Sequence, residues 1–123
     1  MRNKETDMSF VMLIIEKLDE RESRPKDVGR EAYDRMMRFT ENLKARGVLL
    51  ASDALKTKSV RIEQRQGKRS IIDGPFTETK EIVGGFFLLN CKSHEQALAI
   101  ANECPAAEWS TVELREVGPC FSE

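Results

Sequence analysis

The length, composition and charge of this chain predict one soluble, folded domain. It has 123 residues, of which 40% are hydrophobic and 33% are charged, and this composition excludes a disordered chain. The 20 basic and 21 acidic residues give a net charge of -1, which argues against nucleic acid as the main partner because phosphate binding requires a basic excess. No apolar run approaches the roughly 20 residues of a membrane span, so we expect no membrane association and a cytoplasmic location.

Cysteine usage and the first residues exclude two further classes of protein. Cys91, Cys104 and Cys120 are odd in number and widely spaced, without a Cys-x-x-Cys pair. This pattern favours reduced, partly buried thiols over a metal or redox site, so we expect no metal and no cofactor. The first apolar run ends in Glu16 and Lys17 without a small-residue cleavage site, and we therefore predict no signal peptide.

The first third of the chain predicts a strand followed by a long helix. Residues 10–15 are continuously apolar and rich in β-branched side chains, which predicts a strand buried on both faces. Residues 18–26 are charged and contain Pro25, which predicts a loop. A helix is predicted for residues 27–46, with Gly47 as its C-terminal stop. Its apolar face is formed by Ala32, Met36, Phe39 and Leu43.

The middle of the chain predicts several short strands. Residues 48–51 are apolar, and residues 60–63 alternate between apolar and charged side chains, as in a half-exposed strand. The pair at 66–67 is typical of a hairpin turn into a strand at 68–72. A polar loop follows, and residues 85–91 predict a strongly apolar strand.

The last third predicts a second helix and a final strand. Ser93 and Gln96 have the spacing of a capping box at a helix N-terminus, and Pro105 follows the end of that helix. Residues 111–117 alternate like a half-exposed strand, and residues 118–123 are predicted to be loose. The apolar face of the helix is formed by Ala97, Ile100, Ala101 and Cys104.

This order of elements predicts an α+β fold. It fits a ferredoxin-like βαββαβ plan with an extra β-hairpin, in which two helices cover one face of a mainly antiparallel sheet. We expect a single domain over residues 1–123 with a core at about 8–117. The other sheet face would be bare, so Phe86 and Leu88 would need cover, and a homodimer that packs sheet against sheet would provide it.

Residues 73–81 form the segment most indicative of a functional site. The segment opens with turn-forming residues and continues with charged ones, and rigid charged loops often carry function. Asp73 is the candidate catalytic base, although its carboxylate would alternatively hold the turn through backbone amides. Lys80 is the candidate anchor for an anionic substrate group. Further candidate ligand-binding residues, with structural or solvated roles as the alternative, are Gly74, Pro75, Phe76, Glu78 and Glu81.

The same segment carries a family resemblance. Residues 73–81 have the sequence Asp-Gly-Pro-Phe-Thr-Glu-Thr-Lys-Glu, and residues 84–86 are Gly-Gly-Phe. In these motifs, and over about residues 8–117, the chain resembles the DGPF family of the YCII-related superfamily. The resemblance implies a dimeric α/β barrel related to the ferredoxin-like fold. It also implies a cleft between sheet and helices, near the family loop.

What the resemblance implies for function is less definite. Some YCII relatives resemble enzymes that use a His and an Asp as a proton-transfer pair, with the His early in the first helix. Residues 33–37 of this chain contain no His, and its one histidine, His94, is predicted at the surface. In the same helix, Tyr33, Met36 and Met37 could floor a cleft, although such a stripe is more often core. Genes of the DGPF family often accompany extracytoplasmic-function sigma factors.

Two functional hypotheses follow. The first is a small-molecule-binding homodimer with its cleft at residues 73–81. As an enzyme it would catalyse cofactor-independent proton-transfer or lyase-type chemistry, with Asp73 as base and Lys80 as substrate anchor. The alternative is a non-catalytic regulatory or interaction module that acts with a sigma factor.

Overall fold

The computed structural model describes residues 7–76 and 78–121 and contains six strands and three α-helices in these ranges. None of these helices combines the length and apolar character needed to cross a bilayer. The elements in chain order are β1 (Met8–Lys17), α1 (Leu18–Ser23), α2 (Lys26–Ala45), β2 (Leu49–Ala54), β3 (Ser59–Arg65), β4 (Lys68–Gly74), β5 (Glu81–Cys91), α3 (His94–Glu103), a 3-10 helix (Pro105–Glu108) and β6 (Thr111–Glu116).

The main sheet has four antiparallel strands in the order β2-β5-β1-β6. Because β5 pairs between β1 and β2, the β1-α2-β2 unit is split, as in the ferredoxin-like plan. Strands β3 and β4 pair only with each other and form a separate hairpin within the described residues. The predicted α+β, ferredoxin-like fold with an extra hairpin is therefore confirmed.

The hydrophobic core lies between the sheet and the helices. Alternate residues of β1 point into it, and the face of α3 that was predicted to be apolar is buried there. From α2, Phe39 and Leu43 are buried, while Met36 is partly buried against the same cluster. The side chains that are less than 2% exposed and largest in volume are Phe10, Met12, Leu43, Leu89, Ile100 and Cys91.

Strand β1 departs from the sequence prediction on one face. Phe10, Met12 and Ile14 are buried beneath the helices, but Val11 and Leu13 on the opposite face are only partly buried. The prediction of burial on both faces was wrong for the single chain. The opposite face is more exposed because α2 and α3 both lie on the same side of the sheet.

A second departure concerns residues 18–26, where a loop was predicted. Leu18–Ser23 forms the short helix α1, and Pro25 occupies the N-cap position of α2 rather than interrupting a helix. Arg24 between them is extended, as expected for a residue that precedes proline. A six-residue helix spans too few turns to produce a readable periodicity, so its sequence gave no helix signal.

Local signals placed the turns and caps correctly. Gln66 and Gly67 have φ values of 51° and 77°, the left-handed pair required at a tight hairpin turn. The Ser93 hydroxyl accepts a hydrogen bond from the Gln96 amide at 3.1 Å. The Gln96 side chain returns a contact by accepting from the Lys92 amide at 2.7 Å, which completes a capping arrangement close to the one predicted.

Candidate functional site

An open cleft of about 650 Å³ lies between α2 and the main sheet. Its walls come from the end of β1, helices α1 and α2, strands β2 and β5, and the 3-10 helix. A volume of this size matches that of pockets that bind small molecules, about 300–1,000 Å³. The cleft is therefore large enough for a metabolite-sized ligand.

One wall of the cleft is apolar and aromatic. Tyr33, Met36 and Met37 project from α2 into it, and Phe87 contributes from β5. Trp109, the one tryptophan of the chain, lies at its edge. Tyr33 and Met37 line the cleft and are otherwise exposed, whereas Met36 both lines the cleft and packs against the core.

Strand irregularities shape the cleft floor. Ile14 pairs with Gly85 while Ile15 pairs with Val83, so Gly84 is an extra residue in β5 with no partner on β1. Leu50 is likewise an extra residue in β2, between the pairs formed by Leu49 and Ala51. Such bulges re-aim side chains and often occur beside functional sites. Both bulged residues, Gly84 and Leu50, line the cleft.

Glu16 lies directly above Gly84. A Cβ atom at Gly84 would lie 2.5 Å from Glu16 Cδ and 3.1 Å from Cγ, closer than side chains tolerate. The Glu16 side chain is only 12% exposed, which is unusual for a carboxylate. The missing side chain at Gly84 therefore creates the space in which this carboxylate is held inside the cleft.

Arg21 is the charge partner of Glu16. Its Nε atom lies 3.5 Å from Glu16 Oε2, and its side chain is 26% exposed. Nevertheless, Glu16 Oε2 and Arg21 Nη1 are buried and have no hydrogen-bond partner among the described residues. Since buried polar atoms are nearly always hydrogen-bonded in native proteins, this pair retains an unused acceptor and an unused donor.

The charge of the cleft lining is net positive. Its four cationic side chains outnumber its two carboxylates, Glu16 and Asp53. This excess favours an anionic ligand. The cationic residues are Arg21, Arg24, Lys26 and Lys44.

An ion pair connects α2 to the 3-10 helix at the edge of the cleft. Arg35 on α2 donates hydrogen bonds to both carboxylate oxygens of Glu108, one of them at 3.0 Å. The hydrogen bond from Arg35 lowers the pKa of Glu108, and the bond to Glu108 raises the pKa of Arg35. The Arg35 guanidinium also lies 5.3 Å from the centre of the Trp109 ring. Arg35 thus ties the 3-10 helix and Trp109 to α2.

Asp73, the predicted base, lies outside this cleft. It is exposed in β4, where it pairs with Val60 of β3. Its carboxylate makes no hydrogen bond or ion pair within the described residues, so the turn-holding alternative is not observed there. The fold places it on the hairpin, away from α2.

The residues after Asp73 form a compact corner of the loop. A Cβ at Gly74 would lie 2.5 Å from Ser59 Oγ, so this glycine permits close approach of β3. Pro75 and Phe76 are partly buried, and the Arg61 guanidinium lies 4.4 Å from the centre of the Phe76 ring. These contacts are with the hairpin rather than with the cleft.

The charged residues of the loop are dispersed. Glu78 and Lys80 are exposed, and the backbone carbonyl of Lys80 accepts a hydrogen bond from the Leu18 amide at 3.1 Å. Glu81 lines a separate hollow of about 290 Å³, which Lys17 and Trp109 also line. The structure therefore does not bring the seven predicted site residues together in one pocket, and their functional roles remain predictions.

Histidine and cysteine are not grouped into a reactive cluster. His94 is exposed and packs edge-on against Phe10, with ring centres 5.8 Å apart. Burial raises the pKa of the thiols of Cys91 and Cys104, which favours their neutral form. Within residues 7–76 and 78–121, no three His, Cys, Asp or Glu side chains are arranged to hold a metal ion.

Three cleft residues, Glu16, Arg21 and Gly84, received no functional role from the sequence. A signal for Glu16 exists in the alternation Phe10, Met12, Ile14, Glu16, which places the carboxylate on the buried face of β1. No local signal marks Gly84, because its role depends on the bulge in β5. A bulge depends on pairing with a distant strand.

Comparison with known proteins agrees with this architecture. A family model described as the YCII-related domain matches residues 8–120. An uncharacterised protein of Rhizobium meliloti (strain 1021) is 38% identical over 55 residues, which cover 45% of this chain and 44% of that protein. The match thus spans less than half the length of this curated relative.

Proposed function

This chain belongs to the family of YCII-related domains, and we propose that it binds a small molecule between α2 and the main sheet. The observation that carries the proposal is the unused Glu16 Oε2 and Arg21 Nη1 atoms in a cleft of about 650 Å³. Buried polar atoms without a partner are destabilising unless something binds them, and a ligand would satisfy both.

The apolar wall supports the same conclusion. Met and aromatic side chains, such as Met36, Met37 and Trp109, offer an adaptable surface to an apolar ligand body. The charged side chains of the lining would fix the orientation of the ligand. Few convergent polar groups in a mostly apolar pocket are typical of small-molecule sites.

A fluorescent aromatic anion tests the proposal. We expect 1-anilinonaphthalene-8-sulfonate to bind saturably, one molecule per chain, with a blue-shifted emission. Ala32→Phe on α2 and Ala51→Phe on β2 place a ring inside the cleft and should each weaken this binding at least about tenfold. Ala99→Phe, on the exposed surface of α3, should leave it unchanged.

The cleft variants also determine which result contradicts the proposal. The probe could instead adsorb to exposed apolar side chains on the hairpin. If Ala32→Phe and Ala51→Phe both fold, as judged by circular dichroism, and bind the probe like the wild type, ligand binding in the cleft is refuted.

We further propose a homodimer, as the family resemblance implies. Val11 pairs with Leu88 and Leu13 with Phe86 across β1 and β5, so these four partly buried side chains form one apolar patch on the sheet face opposite the helices. A second copy would cover this patch with its own identical patch, in the isologous manner of two-fold dimers.

A more specific form of the small-molecule proposal is catalysis with Asp73 as the base. Since Asp73 is exposed and outside the cleft of its own chain, proton abstraction by it requires a ligand bound at the hairpin or reached from a second copy. Asp73→Asn should abolish turnover in that case while the cleft still binds the fluorescent anion.

The hairpin favours a second candidate function. Val60, Ile62 and Ile71 are 61%, 62% and 70% exposed, and they share one face because Ile62 pairs with Ile71. An exposed apolar patch outside the main sheet is what an interaction module needs. For an extracytoplasmic-function sigma factor of the same genome, we expect Ile71→Ser to weaken binding measured by calorimetry. Ser70→Ala, on the opposite face of the hairpin, should not weaken it.

A further inference from the structure

We propose that Glu16 and Arg21 form the selective end of the cleft and that the ligand is a small acid with a hydroxyl next to its carboxylate. This inference rests on the proposed function of the cleft and adds the chemical class of its ligand. It also assigns Gly84 as the residue that positions Glu16.

Hydrogen-bond complementarity restricts the ligand. Glu16 Oε2 can only accept and Arg21 Nη1 can only donate, and neither atom has a hydrogen-bond partner within the described residues, although Oε2 lies 3.5 Å from Arg21 Nε. A ligand that satisfies both must therefore present a donor and an acceptor close together. A hydroxyl next to a carboxylate does so, with the hydroxyl donating to Glu16 and the carboxylate accepting from Arg21.

The charge of the cleft lining also restricts the ligand. Glu16 repels a carboxylate, so a ligand acid needs additional cations nearby. Arg24 and Lys26 line the same cleft as Arg21. Arg21, Arg24 and Lys26 provide three positive charges against the two carboxylates of the lining, Glu16 and Asp53, and make an anion favourable.

The apolar lining restricts the remainder of the ligand. Tyr33, Met36 and Trp109 line the cleft and offer apolar and aromatic surface. A hydrophobic or aromatic group on the ligand would pack there, because its transfer from water is favourable. The fitting class is a 2-hydroxy acid with an apolar substituent.

Gly84 holds this arrangement in place. Any side chain at this position would overlap the Glu16 carboxylate, with a Cβ only 2.5 Å from Glu16 Cδ. In Gly84→Ala only the end of a flexible side chain must move, so the fold should persist while the carboxylate is displaced. Gly118→Ala is the matched control, because a Cβ there meets no atom within 4 Å.

The test compares mandelate with phenylacetate, which lacks the hydroxyl, and with 1-phenylethanol, which lacks the carboxylate. Binding is measured by calorimetry and by quenching of Trp109, the one tryptophan and a cleft residue. We expect mandelate to bind roughly tenfold more tightly than phenylacetate, the gain of one hydrogen bond to a charged group. The alcohol should bind most weakly.

The variants isolate the assigned roles. Glu16→Ala should remove the preference for mandelate and strengthen phenylacetate binding, because the repulsive carboxylate is gone; a purely structural role would not produce that gain. Glu16→Gln, which keeps the shape, should reduce the preference to a few-fold. Gly84→Ala should reduce it as well, and Gly118→Ala should not.

Several outcomes overturn the inference. Equal affinity of the wild type for mandelate and phenylacetate does so, as does a preference that survives in both Glu16→Ala and Gly84→Ala. If neither acid binds, while cleft-filling variants still abolish binding of the fluorescent anion, the ligand class is wrong and the binding function stands.

Discussion

The Arg35 guanidinium donates hydrogen bonds to both carboxylate oxygens of Glu108 and also lies 5.3 Å from the centre of the Trp109 ring. The contact joins α2 to the 3-10 helix across 73 residues of sequence. The contact fixes the position of the cleft edge, because a 3-10 helix of one turn has little stability of its own.

The first prediction uses the pH dependence of this pair. The hydrogen bond from Arg35 lowers the pKa of Glu108, so the pair stabilises the folded state above the ordinary Glu pKa of about 4.3. That stabilisation is lost as the pH falls through the lowered folded-state value. We expect the emission of Trp109 to shift to longer wavelength in this acidic window.

Glu108→Gln is the matched variant for this experiment. It should show the shifted emission already at neutral pH and a smaller change on acidification. Because the two proteins differ only at position 108, the difference between the two profiles reports on Glu108. Identical profiles would show that the ion pair does not position Trp109.

The second prediction compares two leucines in helices. Leu43 on α2 is 0% exposed, whereas Leu98 on α3 is 55% exposed. We expect Leu43→Ala to lower the free energy of unfolding by about 2–5 kcal/mol, through lost burial and a new cavity. Leu98→Ala should change it by less than about 0.5 kcal/mol. Urea denaturation followed by circular dichroism measures both, and equal effects would refute the described packing of α2.

The third prediction concerns the thiols. Cys91 and Cys104 are 1% and 3% exposed, and burial raises the pKa of each thiol, so both should resist modification. Cys120 is exposed. Dithiobis-nitrobenzoate at pH 8 should modify one thiol rapidly in the folded protein and all three after unfolding. In Cys120→Ser the rapid phase should disappear; two rapid thiols in the wild type would contradict the core arrangement.

The fourth prediction tests self-association. Leu88→Lys places a charge in the middle of the patch formed with Val11, Leu13 and Phe86, and buried charges without partners are costly. Sedimentation velocity should show a wild-type dimer whose dissociation constant rises at least about thirtyfold in the variant. Leu98→Lys, on exposed α3, should remain dimeric. A wild type that sediments as a monomer would exclude the proposed interface.

The predictable part of the fold rested on short-range signals. The 3.6-residue spacing of Phe39 and Leu43, the cap at Ser93 and the turn at Gly67 each arise within a few neighbouring residues, and all three were located correctly. The family motifs added the arrangement of the sheet. Because both sources agreed, the ferredoxin-like plan could be stated in advance.

The cleft could not be located in this way. Gly84 lies under Glu16 although 68 positions separate them in the numbering, and their contact depends on the bulge in the β1–β5 pairing. Asp73 has strong turn chemistry in its sequence, yet its distance from the cleft depends on how the whole hairpin leaves the sheet. The sequence thus indicated a conspicuous loop but not the role of the Glu16 carboxylate near the end of β1.

The β3–β4 hairpin has one more consequence. None of the side chains in the buried cluster comes from Ser59–Gly74. Substitutions in the hairpin therefore leave the hydrophobic core intact. Evolution can therefore reshape this arm at little thermodynamic risk. Related proteins with this fold can therefore differ in the binding partner of the hairpin while they keep the same hydrophobic core.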